Sequence, residues 1–329
     1  MAAPRASMLN AMRGIWGVVR SRRGRFVVNA VSALVTVATT VLAARHFAST
    51  GWPLAHADYR LVAASSLCLI LAAGFKAYGW QRLFAHGERP GPLALAAAGA
   101  AACVTGIALP GRFDDVVRVA VVRRYPGCPS GVPALCLSLF TLGLIDAAAL
   151  MPLASTAAAT TTASIPVRAG LAVVAAAGLA AMALVVMLPR LAASSRLIRF
   201  RLARWLHVHH VTAREAWKSL VLVLASWLTR GVALLFLLQA LGVSISLPLA
   251  IAFLVAAAAS GALPVAPAGA ATQAGAGAAI LVASGLSAAH AIAFAVAAQA
   301  VIVLSGGAVF LFAALWQGGR KLALMHSAA

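Results

Sequence analysis

From Val27 to Trp316 the chain is a succession of apolar runs joined by short segments that hold most of its charge. A helix that crosses a bilayer needs about 20 apolar residues, because it must cover roughly 30 Å of hydrocarbon. Runs of that length fall at Val27–Ala48, Leu61–Trp80, Val132–Leu153, Val167–Leu188, Lys218–Leu241 and Ala288–Trp316. Hydrophobic residues make up 63% of the 329 positions and charged residues 10%. Soluble domains carry about 25% charged residues. A soluble globular domain, a disordered chain and a nucleic-acid-binding module are all excluded, and the chain reads as an all-α polytopic membrane protein.

Two further apolar stretches, Leu93–Pro110 and Leu247–Gly285, do not fit a simple crossing. Loop charge shows why. Lys and Arg number 26 against six acids, and in a membrane protein the excess marks the cytoplasmic loops. Residues 1–26 carry six Arg and no acid, and Leu9, Met12, Trp16 and Val19 recur at helical spacing, as in a basic amphipathic segment on the membrane surface. The loop 189–217 contains Arg190, Arg196, Arg199, Arg201, Arg204 and Arg214 interleaved with Leu197, Ile198, Leu202 and Trp205, a second surface segment suited to anionic lipid. The tail 317–329 is basic, whereas 154–166 is a linker without Asp, Glu, Lys or Arg. Basic segments flank Leu93–Pro110 on both sides, so it is expected to enter from the cytoplasm and return. Nearly neutral segments flank Leu247–Gly285, so it is expected to enter and return from outside. The expected architecture is about six full spans plus two re-entrant helical hairpins. A first membrane repeat, 27–153, and a second, 167–316, form an inverted-topology repeat with both termini in the cytoplasm.

The residues carry the same repeat. Gly106-Ile107-Ala108-Leu109-Pro110 resembles Gly261-Ala262-Leu263-Pro264, and Pro110 and Pro264 are 154 positions apart. Lys76 and Arg230 share that offset, each the lone cation inside its span. Asp146 displaced by the same amount falls at Ala300, beside Gln299.

In transporters built this way, Pro/Gly breaks inside hydrophobic segments point to the binding site. The first break, Pro110-Gly111-Arg112-Phe113-Asp114-Asp115-Val116-Val117-Arg118, sets two guanidinium groups and two carboxylates around a helix start. Helix N-termini and Arg both suit phosphate. The competing reading is a solvated cytoplasmic loop. The second break holds Pro264, Pro267 and Gly269, then Thr272 and Gln273; its plainer reading is a kinked hairpin. Arg230 lies mid-span, where a cation faces a partner or a wet cavity. Lys76, about a turn from the end of its span, can instead snorkel. Asp146 is placed to pair with Arg230 or Arg112, or to exchange protons.

Enzyme signatures are missing: there is no phosphate-binding Gly-rich loop, no HExxH and no G-x-S-x-G. Cys68, Cys103, Cys128 and Cys136 form no CxxC pair, and His207, His209 and His210 have no acid or Cys at ligand spacing, so neither a metal nor a cofactor is expected.

At its two broken segments the chain resembles the transmembrane, flippase-like region of lysylphosphatidylglycerol synthases. Pro110, Arg112, Asp114 or Asp115, and Arg118 match the family's Pro-x-Arg loop with its following acid and Arg; Asp146 matches the Asp of the next span; Pro264, Pro267 and Gly269 match part of the Pro-x-x-Pro-Gly-Gly loop. Two positions depart: the family's Gly-Glu is Phe113-Asp114-Asp115 here, and the Glu after the second loop is Gln273. The aminoacyl-transferase domain of full-length synthases is not found, so the resemblance implies binding or translocation of a lipid rather than its synthesis. The expected function is an integral membrane transporter, a flippase, for an anionic lipid or polyprenyl-phosphate-linked amphiphile in the cytoplasmic membrane. Arg112, Arg118, Arg230, Lys76, Gln273 and Thr272 would contact the substrate, while Asp114, Asp115 and Asp146 would position cations or carry protons. The alternatives are a noncatalytic scaffold for an envelope-biosynthesis enzyme and a membrane-embedded lipid-modifying enzyme with metal at Asp114 and Asp115.

Overall fold

The computed structural model describes residues 45, 51–106, 113–125, 128–161, 164–192, 211–243, 246–261 and 269–327. Among the described residues there are nine α-helices and no strand: α1 Tyr59–Gln81, α2 Pro92–Thr105, α3 Phe113–Arg124, α4 Val132–Thr160, α5 Ile165–Ala192, α6 Ala213–Ala240, α7 Leu247–Gly261, α8 Gly269–Ala283 and α9 Ala288–Ser327. Five are long and apolar enough to cross a membrane: α1, α4, α5, α6 and α9. The expected first span, Val27–Ala48, and the basic segment before it lie outside the described residues, as do Pro110, Arg112, Pro264, Pro267 and most of the basic loop 189–217.

Local chemistry sets the helix starts. The Asp58 carboxylate accepts from the Arg60 amide at 2.8 Å ahead of α1, and the Thr212 hydroxyl accepts from the Glu215 amide at 3.4 Å ahead of α6. Pro92 and Pro133 occupy first-turn positions, where a missing N–H costs nothing. Helix α4 runs through Thr160, well into the stretch expected as a linker, because Ala is the best helix former and three of its last six residues are Ala. Only 161–164 then separate α4 from α5.

The halves superpose in sequence. Helix starts at Tyr59, Pro92, Phe113 and Val132 are followed 154, 155, 156 and 156 residues later by starts at Ala213, Leu247, Gly269 and Ala288. Each half is thus one long helix, two short ones and another long one. The short helices α2 and α3 pack as a hairpin, and so do α7 and α8. At 1.5 Å per residue, the 14 residues of α2 reach about 21 Å, short of a ~30 Å hydrocarbon core. The first hairpin also leaves and returns at one end of the bundle. Gln81 Nε2 donates to the Pro90 carbonyl at 2.8 Å before it, and the Ser130 hydroxyl bonds the Glu88 carbonyl after it.

The centre of the molecule is the seam between α1 and α6. Ser65 Oγ donates to the Ala233 carbonyl at 2.8 Å, and Ser226 Oγ donates to the Ala72 carbonyl at 2.8 Å. At Gly79 an added Cβ would stand 3.3 Å from the Ser219 carbonyl and 3.0 Å from Val223 Cγ2. The contacts 65–233, 72–226 and 79–219 step by seven residues in opposite directions, so the helices are antiparallel. Under the 154-residue offset the first contact maps onto the third, and the second maps onto itself. A two-fold axis through Ala72 and Ser226 produces that register, which makes this an inverted repeat. Small residues along the seam let the backbones approach closely, the usual device where hydrocarbon removes any hydrophobic drive for helices to associate.

Each half's first short helix docks on the other half's last long helix, α2 on α9 and α7 on α4. The Cys103 thiol of α2 lies 3.9 Å from the Ile302 carbonyl, over Gly306. The exchange of short helices interlocks the halves, and Phe253 and Phe294 meet edge to face at 5.0 Å where α7 reaches α9.

Candidate functional site

The two-fold brings Lys76 of α1 and Arg230 of α6 to equivalent places, one turn beyond the central Ala72–Ser226 contact on each helix. Trp227 of α6 lies three residues before Arg230 and therefore on the same side of its helix. The Arg230 guanidinium lies over the Trp227 ring at 4.9 Å from its centroid, and Lys76 Nζ lies 5.6 Å from the same centroid. Asp146 of α4 completes the group. One carboxylate oxygen pairs with Lys76 Nζ at 2.7 Å; the other accepts from Trp227 Nε1 at 3.1 Å. The Lys76 and Asp146 side chains keep 24% and 22% of their exposure, so the pair is screened from bulk water but not sealed.

Three expected site residues thus meet around one tryptophan that sequence reasoning missed. Trp227 reads as an ordinary aromatic at helical spacing; its i, i+3 relation to a mid-span Arg is the signal that could have found it. Lys76 does not snorkel toward the near end of α1. It reaches sideways, because a carboxylate facing it within the bundle compensates its charge better than a long path to the headgroups. Asp146 pairs with Lys76 and not with Arg230.

Arg118 stands within electrostatic range of both Lys76 and Arg230. It is held by its own helix: Asp115 at 2.7 Å one turn back, and Asp114 at 3.2 Å four residues back. The two acids sit in the first turn of α3, where the helix dipole favours them. Both carboxylates are therefore engaged by Arg118.

The charges do not balance evenly. All six acids of the chain are among the described residues, and none lies within 4 Å of the Arg230 guanidinium. Lys76 has Asp146 and Arg118 has two carboxylates, whereas Arg230 has a tryptophan face. A guanidinium stacked on an aromatic keeps its in-plane N–H fork available to a bidentate anion.

Thr272 and Gln273 lie in the first turn of α8, at the tip of the second hairpin. The Ser260 hydroxyl reaches the Thr272 carbonyl at 3.4 Å. The Gln273 amide covers Gly261, where an added Cβ would meet Nε2 at 2.6 Å. Gln273 thus joins the ends of α7 and α8. Gly269 opens α8.

A second polar cluster, absent from the sequence reading, ties the other end of the seam. Glu215, 8% exposed in the first turn of α6, pairs with Lys218 Nζ at 2.8 Å, Arg89 Nη2 at 3.0 Å and Arg82 Nη1 at 3.6 Å. A lone acid beside a basic loop reads as a solvated charge; only the fold carries Arg82 and Arg89 to it.

Long apolar helices, an inverted repeat and a polar cluster within the spans define a polytopic helical membrane protein. The family model described as Lysylphosphatidylglycerol synthase TM region matches residues 25–309. The chain belongs to that family. No curated protein and no solved structure matches the chain.

Proposed function

We propose that the protein translocates an anionic lipid, a phospholipid or polyprenyl-phosphate-linked amphiphile, across the cytoplasmic membrane, with Arg230 as the group that receives the phosphate. The observation that carries this reading is Arg230 itself, a mid-span cation held against Trp227 with no carboxylate partner while its neighbours Lys76 and Arg118 are both neutralised. A mid-helix Arg costs roughly 2.5–3.5 kcal/mol on insertion scales. An anionic headgroup would offset that cost, and the cationic site would in turn lower the barrier for the headgroup.

In this reading the short hairpins α2–α3 and α7–α8 are re-entrant, one opening to each side. Basic loops hold both termini in the cytoplasm. The headgroup passes along the polar side of the α1–α6 seam while the acyl tails stay in lipid. Asp146 keeps Lys76 and Trp227 in place, and Lys76 offers a second cation if its pair opens. Arg118 at the first hairpin, and Thr272 and Gln273 at the second, border the route; Arg112, just before α3 in sequence, is the further cation proposed to contact the lipid. The family Glu is Gln273 here, which removes one group that could carry a proton or repel the phosphate. No chemical transformation is required of these residues. Asp114 and Asp115 engage Arg118, which weighs against a metal-dependent lipid-modifying enzyme, and a permanent Arg230–Asp146 lock, which would suit an inert scaffold, is not what the geometry shows.

The test is reconstitution in liposomes carrying a fluorophore-labelled phosphatidylglycerol, with loss of inner-leaflet protection read by an impermeant quencher. Wild-type protein should expose the inner pool. Arg230→Ala should abolish that exposure while the protein still elutes as a folded species. Unchanged scrambling or transport would remove Arg230 from the mechanism.

A further inference from the structure

At the Glu215 end of the seam, the charge and the exposed surface together point to an occupant. Three cations, Arg82, Arg89 and Lys218, converge on one carboxylate and leave two positive charges in excess. Arg89 is also held by the Phe84 carbonyl at 3.3 Å. Arg82 is the loosely engaged member. Its contact with Glu215 is 3.6 Å long, and its buried Nε has no hydrogen-bond partner. The Arg82 and Lys218 side chains retain 36% and 40% of their exposure.

Helix geometry says where that exposure faces. On α1, Leu67, Leu71, Phe75 and Tyr78 are exposed and recur at intervals of four, four and three residues; Arg82 follows four residues on. They form one stripe, and it lies away from the Ser65–Ala72–Gly79 seam. On α6, Trp217, Val221 and Leu228 make a second exposed stripe, and Lys218 stands three residues before Val221. The two-fold turns both stripes to the same side of the helix pair. Each ends at an aromatic with a cation nearby, Tyr78 with Arg82 and Trp217 with Lys218, the residue types of a membrane–water boundary.

We propose that Arg82 and Lys218 form a resident site for an anionic glycerophospholipid, with its phosphate between the two side chains and its acyl chains along the two stripes. A phosphodiester between the exposed parts of Arg82 and Lys218 offsets the surplus charge that Glu215 leaves. The site faces the bilayer, on the opposite side of the seam from Lys76 and Arg230, so it does not depend on the translocation reading.

The test is native mass spectrometry of the purified full chain titrated with phosphatidylglycerol, with phosphatidylcholine or with inorganic phosphate. It is run on wild-type protein and on Arg230→Ala, so that any lipid held at the Arg230 site is subtracted. One phosphatidylglycerol should bind more tightly than phosphatidylcholine in both proteins. A basic residue near an anionic headgroup contributes an amount equivalent to about fivefold in affinity, so Arg82→Gln and Lys218→Gln should each cost about that and the double variant about 30-fold. Arg60→Gln, which removes a charge from the opposite end of α1, should cost nothing. Equal retention of phosphatidylglycerol by the single variants and wild type would overturn the site. An equal loss in Arg60→Gln would reduce it to general electrostatics. Inorganic phosphate binding as tightly as the lipid would show that the stripes contribute nothing and overturn the lipid assignment.

Discussion

Asp146 does two jobs with its two oxygens, and they can be separated by substitution. One oxygen neutralises Lys76 at 2.7 Å; the other holds the Trp227 indole at 3.1 Å, and Trp227 carries Arg230 on its face. Removing one partner of a poorly solvated ion pair strands the other, which costs up to ~3–5 kcal/mol when fully buried and less here because both side chains remain partly exposed. Asp146→Leu should therefore lower stability by about 1–3 kcal/mol, and Lys76→Met by a similar or smaller amount. The double variant should lie closer to wild type than Asp146→Leu does, because no charge is left behind. Thermal unfolding of the four proteins in one detergent closes this cycle, and strict additivity would show that the pair is not coupled. Trp227→Phe is the complementary change. It keeps an aromatic face for Arg230 but deletes the N–H to Asp146, so transport should fall while Lys76–Asp146, and with it stability, is largely retained. Loss of stability equal to that of Asp146→Leu would mean that the indole bond, not the ion pair, holds the cluster.

At the scale of elements, the seam between α1 and α6 makes a sharp demand at Gly79. A Cβ there already stands 3.0 Å from Val223 Cγ2 and 3.3 Å from backbone oxygen, so a larger side chain must push the helices apart. Gly79→Leu should cost about 1–3 kcal/mol, the usual penalty of overpacking. Gly74→Leu on the same helix has nothing within 4 Å to strike and should be tolerated. A comparable loss in both would trace the effect to the helix itself rather than to the seam. The elements are the part of this protein most legible in its sequence, since apolar run length gives the spans, a 154-residue offset pairs Lys76 with Arg230, and offsets of 154 to 156 align four helices of each half. Helix ends are less legible: α4 overruns its expected end because Ala157, Ala158 and Ala159 belong equally to a span or a linker. The site is legible only as a set of residues. Lys76, Asp146 and Arg230 stand out because charge within a span is rare, but which carboxylate meets which cation depends on the angle at which α4 approaches α1. Glu215 and Trp227 carry no such mark, because an acid beside a basic loop and a tryptophan in a span are both commonplace.

For the whole molecule, the proposed orientation rests on the two-fold and the charge distribution together. The α1 C-terminus and the α6 N-terminus share one end with Arg82, Arg89 and Lys218, and the basic loop 189–217 joins α5 to α6 at that end. In the proposed reading, the Lys and Arg bias puts this end in the cytoplasm. The opposite end carries the short connections after Thr160 and Ala240, with little charge, which the proposed orientation puts outside. Because the halves are inverted, that proposed orientation would open α2–α3 to the cytoplasm and α7–α8 to the outside. In a background with Cys68, Cys103, Cys128 and Cys136 replaced, an impermeant maleimide should label Thr161→Cys from outside intact cells. It should label Gly87→Cys, in the turn after α1, only once the membrane is opened. The reverse pattern would invert the molecule and send the surplus cations to the outer leaflet. Labelling of both sites from outside would break the inverted repeat, because α1 and α4 would then no longer cross in the sense that the seam requires.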